Sequence, residues 1–211
     1  MRQLINIKAN EYQKKVKLHD SILDILFAHK SEIFRKFSDI KGLYFLDHVA
    51  VTIFNPENEI VIFSLTPSVE YNVIIKELWK HDITFRPDEY ADGDFAWWDS
   101  ELNEFSDEIK KIKIENHHFS VGLNLYKKIG DFRFIYSFAT RNKDLDIRSY
   151  YEGIISELFL LGDYGYKLIL GIYVGYCGSH IPPQVASPNT VNEKPYLRLI
   201  VSNESVCLDK F

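Results

Sequence analysis

Residues 43–67, with the sequence LYFLDHVAVTIFNPENEIVIFSLTP, decide the fold class of this 211-residue chain. The stretch contains two runs rich in β-branched and aromatic residues, at positions 45–54 and 59–65. The runs are separated by Asn-Pro-Glu-Asn, and Asn and Pro both favour turns. This pattern predicts a β-hairpin. The same reasoning predicts a second pair of strands, 119–126 and 132–140, joined through Gly130 and Asp131.

Helical periodicity surrounds and separates the two hairpins. Apolar residues recur at helical spacing in residues 10–37, 69–80, 106–115 and 144–161. The last of these patterns continues towards Tyr173, although three glycines weaken a helix there. Residues 82–100 have no clear period and are predicted to be a structured loop. The order of elements predicts an α/β (α+β) domain, in which helices flank a central antiparallel sheet in an α-β-α sandwich.

Composition limits the classes of function. The chain is 46% hydrophobic with a formal charge of -5, which predicts a folded domain without the basic surface that nonspecific nucleic-acid binding requires. The first 15 residues lack the apolar core of a signal peptide, and no run of about 18 apolar residues is present. We therefore expect a cytoplasmic protein that does not enter a membrane. Cys177 and Cys207 are expected to be free thiols.

The composition changes near residue 178. Residues 1–177 are predicted to form one domain, and residues 178–211 a tail that contains four prolines and a strand-like segment at 196–201. The tail has no pair of helices joined by a short turn and no basic recognition helix. A DNA-binding domain, and direct nucleic-acid binding, are therefore not predicted.

Catalytic and metal-binding motifs are not apparent. The chain has no Gly-rich phosphate loop, CxxC pair, HExxH or GxSxG sequence. The acidic residues of the 82–100 loop do not have EF-hand spacing. We predict no catalytic residues, no metal site and no cofactor, and so not an enzyme.

Three stretches together resemble the autoinducer-binding domain of LuxR-type quorum-sensing regulators: residues 43–67, the segment from Asp82 to FAWWD at 95–99, and HHFSVGLNLYKKIGDFRFIYSFAT at 117–140. In that family a helix-flanked antiparallel sheet encloses an acyl-homoserine lactone. The resemblance implies that Asp82 accepts a hydrogen bond from a ligand amide and that Trp97 closes the lactone end. It also places Gly122 and Ser137 in the pocket.

Two departures from the family pattern affect ligand recognition. The helix before the aspartate usually supplies a Trp and a Tyr, but Val69 and Val73 stand near those positions, with Tyr71 close by. The proline that usually follows the aspartate is Ile83. The donors that hold the ligand head group are therefore incomplete, and each lost donor costs about 1–3 kcal/mol.

The resemblance implies a small-molecule sensor domain for quorum-sensing signals. An acyl-homoserine-lactone-like or other amphipathic ligand is expected to contact Asp82, with apolar walls from Tyr71, Phe95, Trp97 and Trp98. The alternative is a protein-interaction module whose pocket is filled by side chains. Such a module would form a homodimer, or a heterodimer with a related regulator.

Overall fold

Six strands form one sheet in the part of the chain that the computed structural model describes, residues 16–100, 103–144 and 146–183. In spatial order they are β1 (Lys17–Leu18), β3 (Glu59–Ser64), β2 (His48–Phe54), β6 (Phe132–Thr140), β5 (Val121–Ile129) and β4 (Phe95–Trp97). All neighbouring strands are antiparallel except the short β1, which is parallel to β3. The predicted central antiparallel sheet is confirmed.

The first hairpin owes its turn to asparagine chemistry. The Asn55 Oδ1 accepts hydrogen bonds from the backbone N–H groups of Glu57 and Glu59, at 2.9 and 3.0 Å. Asn58 adopts a φ of 59°, in the left-handed region that asparagine tolerates better than most residues. Both predicted hairpins are confirmed, and the second turns at Gly130, which has a φ of 60°.

Helices cover both faces of the sheet in the described residues. They are α1 (Ile22–Ala28), α2 (Lys30–Lys36), α3 (Pro67–Ile75), α4 (Ser106–Lys113), α5 (Ile147–Gly153) and α6 (Ile155–Cys177). Apolar side chains of α2 and α6 pack with alternate residues of the strands, such as Val51 and Phe134. The other sheet face, with Ile62 and Ile135, packs against α3 and α4. The predicted α-β-α sandwich is therefore confirmed.

The C-terminal helical region differs from its prediction. A single helix was expected over residues 144–161, but α5 and α6 are separated at Ile154, whose φ of -120° is not helical. The helix α6 then continues to Cys177, past those three glycines and Gly175. Gly162 permits close packing, because a Cβ atom there would lie 2.0 Å from the Tyr136 ring. A packing advantage thus outweighs the low helix propensity of glycine.

The length and apolar composition of α6 would also suffice for a membrane span, and it is the one such helix in the described residues. Leu158, Tyr166 and Ile169 of this helix are fully buried against the sheet. Core helices of soluble proteins have the same properties, so this composition is weak evidence for a membrane segment.

The loop at 82–100 contains the edge strand β4, which is too short to show a period of two. The strand-like segment at 196–201, with the rest of the predicted tail beyond residue 183, lies outside the described residues. The division into a domain at 1–177 and a tail stays a prediction.

Candidate functional site

A group of polar side chains is buried between the sheet and the helices α3 and α4. We call it the Asp82 cluster. It consists of Asp82, Thr84, Trp98, Lys113, Asn124 and Ser137, all of them buried. Buried polar groups are uncommon unless they are hydrogen-bonded to one another, so this cluster is the first place to look for function.

Local structure brings the cluster together. Asn124 and Ser137 are directly opposite each other on β5 and β6, and both point to the face covered by α3 and α4. Asp82 precedes a 3-10 turn, Ile83–Phe85, and its Oδ1 accepts a hydrogen bond from the Thr84 N–H at 2.9 Å. Lys113 is the last residue of α4.

Lys113 and Asp82 form a buried ion pair. The Lys113 Nζ lies 3.1 Å from Oδ1 and 3.0 Å from Oδ2 of Asp82, and it donates to the Thr84 Oγ1 at 2.7 Å. The two charged side chains are only 5% and 1% exposed. The ammonium also lies 4.5 Å from the centre of the Trp98 ring, a cation–π distance. The position expected for a ligand amide is thus occupied by an internal cation.

Asn124 links the remaining members. Its Oδ1 accepts hydrogen bonds from the Trp98 Nε1 at 2.8 Å and from the Ser137 hydroxyl at 2.7 Å. Its Nδ2 donates to the Thr84 Oγ1 at 2.9 Å. Since Thr84 also contacts Lys113, the six side chains form one continuous network.

Gly122 provides the space for the Trp98 ring. A Cβ atom at Gly122 would lie 2.2 Å from the Trp98 Cε3, closer than real Cβ atoms approach other atoms. The indole therefore packs flat on the backbone of β5, which fixes its Nε1 towards Asn124. Gly122 contributes to the site through the placement of Trp98.

Two spaces adjoin the cluster. The inner cavity, between Val69, Glu70, Val73, Lys113 and Ser137, has room of about 20 Å³, enough for one water molecule. An outer cleft of about 160 Å³ is lined by Asp107, Ile109 and Lys110 of α4 and by Asp99. Asp82 and Trp98 line both spaces. These two residues thus separate the inner cavity from the outer cleft.

Glu70, which lines the inner cavity, forms a second buried pair with His48. The His48 Nε2 lies 3.5 Å from the Glu70 Oε1, longer than a good hydrogen bond. Desolvation by burial lowers the pKa of His48 to about 3 and raises the pKa of Glu70 to about 7. His48 is therefore neutral at pH 7, and burial favours the protonated form of Glu70. The His48 ring also packs against the Trp98 ring, with 5.5 Å between their centres.

The structure brings four of the seven predicted ligand-binding residues to this site: Asp82, Trp98, Gly122 and Ser137. The other three lie elsewhere. Trp97 and Phe95 alternate with Ala96 on β4, and Trp97 packs with the core on the opposite sheet face. Tyr71 contacts Phe27 of α1, with ring centres 5.3 Å apart. That any of the seven binds a ligand stays a prediction.

Sequence reasoning missed three residues of the cluster and two beside it: Thr84, Lys113, Asn124, Glu70 and His48. A helical signal existed for two of them. Lys113 follows Ile109 by four residues, and Glu70 precedes Val73 by three, so both stand on the apolar face of their helix. A charged residue in such a stripe indicates either a buried partner or a functional group. For His48, an alternating strand pattern offered no comparable signal.

The acidic loop residues have structural partners. Asp92 and Asp94 accept hydrogen bonds from the backbone N–H groups of Lys128 and Ala91, both at 2.8 Å. Asp99 pairs with Arg148. Among the residues that the structure describes, no three His, Cys, Asp or Glu side chains are grouped as metal ligands.

No protein-family model matches the chain, and no curated protein matches it in sequence. Its fold, however, is similar to solved structures of SdiA. A crystal structure of Escherichia coli SdiA gives a TM-score of 0.54 at 13% identity, covering 78% of this chain and 67% of that chain. SdiA in complex with octanoyl-rac-glycerol gives 0.51 at 12% identity, covering 78% and 66%.

SdiA is a LuxR-type quorum-sensing receptor, so the predicted autoinducer-binding-domain fold is confirmed. The chain spans about two thirds of the length of the SdiA chains. At 12–13% identity the similarity establishes the fold alone.

Proposed function

We propose that this protein is a small-molecule sensor domain whose amphipathic ligand binds at the Asp82 cluster. The observation behind the proposal is the buried, hydrogen-bonded ion pair of Asp82 and Lys113 beside a cavity and below an outer cleft. A buried ion pair is a costly way to fill a core, because well-packed apolar residues of similar volume are often as stable or more stable. A role in recognition accounts for it.

We propose a route of ligand entry that the two spaces support. The outer cleft reaches Asp82 and Trp98 from solvent, and the inner cavity lies on their other side. An acyl chain needs far more space than about 20 Å³, since ligand pockets usually measure about 300–1,000 Å³. Binding therefore requires α4 and the 82–85 turn to move away from the sheet, and the Lys113 side chain must move with them. The fold similarity to SdiA, which has been solved with octanoyl-rac-glycerol, supports this class of ligand.

The wider role follows the fold relationship. We propose a cytoplasmic signalling domain that is not an enzyme and does not itself contact DNA. Its output would be a change in pairing, either with a second copy or with a related regulator.

The test is native mass spectrometry of the purified protein, with extraction and analysis of co-purified small molecules. Trp98→Leu is the informative variant, because it removes the indole that separates cavity and cleft. Trp97→Leu, whose ring packs with the core on the opposite face of the sheet, is the matched control. A stoichiometric ligand present in wild type and in the control, but lost in Trp98→Leu, supports the sensor. Absence of any ligand, followed by no binding of added octanoylglycerol, would contradict it.

A specific observation favours a second function, the protein-interaction module. Lys113 already satisfies Asp82, and the inner cavity holds no more than a water molecule. A filled pocket would leave pairing with another protein as the activity. Size-exclusion chromatography with light scattering tests it: a stable dimer that forms without a small molecule supports this function, whereas a monomer at all concentrations counts against it.

A further inference from the structure

The Asp82 cluster has little hydrogen-bonding capacity left for a ligand. The Asp82 carboxylate already accepts from the Thr84 N–H and twice from Lys113. An ammonium has three donors, and those of Lys113 are directed at Asp82 and Thr84. A ligand amide that needs the Asp82 carboxylate would have to displace an ion pair.

Unused polar atoms belong to Glu70, which lines the inner cavity, and to its neighbour His48. The Glu70 Oε2 and both ring nitrogens of His48 are buried without a hydrogen-bond partner. Both side chains are at least nine-tenths buried, and Glu70 lines the cavity. An unsatisfied buried polar group costs about 1–3 kcal/mol, so two adjacent residues of this kind point to a missing partner.

The charges near these atoms favour a neutral partner. Asp82 and Lys113 neutralise each other, and His48 is uncharged because burial lowers its pKa to about 3. A ligand carboxylate would lie beside the Glu70 carboxyl, whose pKa burial already raises, and would have no counter-ion of its own. In a buried site, such an unpaired charge is strongly unfavourable.

We propose that the ligand of this site is a neutral amphipath with a hydroxyl-bearing head group, which is held by Glu70 and His48 while Lys113 stays paired with Asp82. This inference rests on the proposed sensor function and names the ligand class and the residues that select it. Each hydroxyl is both a donor and an acceptor, so a diol can satisfy the Glu70 carboxyl and a His48 nitrogen together. An acyl-homoserine lactone has one amide N–H and satisfies fewer of these atoms.

Three probes with the same acyl chain test the ligand class by isothermal titration calorimetry. They are 1-octanoylglycerol, with a neutral diol head; N-octanoyl homoserine lactone, with an amide and a lactone; and octanoate, an anion. Wild type is expected to bind octanoylglycerol at least tenfold more tightly than either of the others. Tenfold is the effect expected when about one buried polar group is left unsatisfied.

Variants assign the selectivity to residues. Glu70→Leu removes the carboxyl and is expected to weaken octanoylglycerol binding at least tenfold, whereas Glu70→Gln, which keeps an acceptor and a donor, should stay within about threefold of wild type. His48→Phe, which keeps an aromatic ring, is a second variant that should weaken binding at least fivefold. Glu108→Leu, at an exposed position of α4, is the control and should bind as wild type does. Circular dichroism confirms that each variant is folded.

Failure of this inference and failure of the proposed sensor function give different results. If the lactone binds as tightly as octanoylglycerol, or if Glu70→Leu and His48→Phe leave the octanoylglycerol affinity unchanged, the inference is wrong while the sensor function stands. If none of the three compounds binds the wild-type protein, the sensor function fails as well.

Discussion

The Lys113 ammonium lies 3.0 Å from the Asp82 Oδ2 in the interior of the domain, and both side chains are almost completely shielded from water. This ion pair connects the last turn of α4 to the start of the Ile83–Phe85 turn. Each charge is compensated by the other, and Thr84 hydrogen-bonds to both groups. The stability of the two segments over the sheet, and the access to the inner cavity that we propose, would therefore depend on the same contact.

Removing one member of the pair should be much worse than removing both. Lys113→Met leaves the Asp82 carboxylate buried without its cation, and we expect a loss of about 3–5 kcal/mol in the free energy of unfolding. Lys113→Met combined with Asp82→Asn should recover most of that loss, because neither charge remains. Urea denaturation of wild type, both single variants and the double variant measures the coupling. Additive effects in this cycle would show that the pair is not coupled in solution.

Gly122 should be required for the position of Trp98. Gly122→Ala places a methyl group where the indole lies, and overpacking of this kind costs about 1–3 kcal/mol. The Trp98→Leu background removes the large ring, so Gly122→Ala should cost much less there. Chemical denaturation of the four proteins provides the comparison. Equal costs in the two backgrounds would argue against the contact.

A pair of glycines on α6 provides a test of the fold that is independent of ligand binding. Gly162→Ala should destabilise the protein by about 1–3 kcal/mol, because the new methyl group would overlap the buried Tyr136 ring. Gly171 has open space around its Cα, so Gly171→Ala should stabilise the helix by up to about 1 kcal/mol. Thermal denaturation measures both. Similar effects of the two substitutions would contradict the packing of α6 described here.

The His48–Glu70 pair predicts an unusual dependence of stability on pH. The raised pKa of Glu70 gives a contribution that is complete below pH 4.5 and is lost as pH rises through about 7. The lowered pKa of His48 gives a contribution that is complete above pH 6.5 and is lost as pH falls towards about 3. Between pH 4.5 and 6.5 the two slopes have opposite signs and cancel.

Glu70→Gln separates the two contributions. Without the carboxyl, the His48 contribution alone remains, and the free energy of unfolding should rise by about 1.4 kcal/mol per pH unit between pH 4.5 and 6.5, relative to wild type. Urea denaturation at a series of pH values, with Glu108→Gln as an exposed control, measures this difference. Parallel profiles of wild type and Glu70→Gln would contradict the burial of this pair.

The sequence predicted the sheet far better than the site. The two hairpins follow from local rules, since the Asn55–Asn58 turn and Gly130 dictate where strands reverse and the intervening residues are β-rich. Asp82 was singled out only through the family resemblance. Its partner Lys113 is 31 residues away, and no local pattern reports which distant side chain neutralises a buried charge.

The two adjacent tryptophans show the same limit at the scale of one residue. Trp97 and Trp98 are adjacent residues of the same type. Because side chains alternate along β4, the Trp97 ring lies on one face of the sheet and the Trp98 ring on the other. The register of a three-residue edge strand is set by its pairing with β5, where Trp97 is opposite Leu123. A shift of one residue would exchange the two rings, and the sequence of this short segment does not specify the register by itself.

The most direct test of a ligand site at the Asp82 cluster uses the three indole N–H groups of Trp79, Trp97 and Trp98. Their ¹H–¹⁵N resonances, assigned by single Trp→Phe variants, are followed during titration with 1-octanoylglycerol. We predict that the Trp98 signal shifts saturably, because its Nε1 donates to Asn124 beside the inner cavity, while the Trp97 signal stays in place. A Trp98 resonance that does not move at saturating octanoylglycerol, or a shift confined to Trp97, would contradict the proposed site.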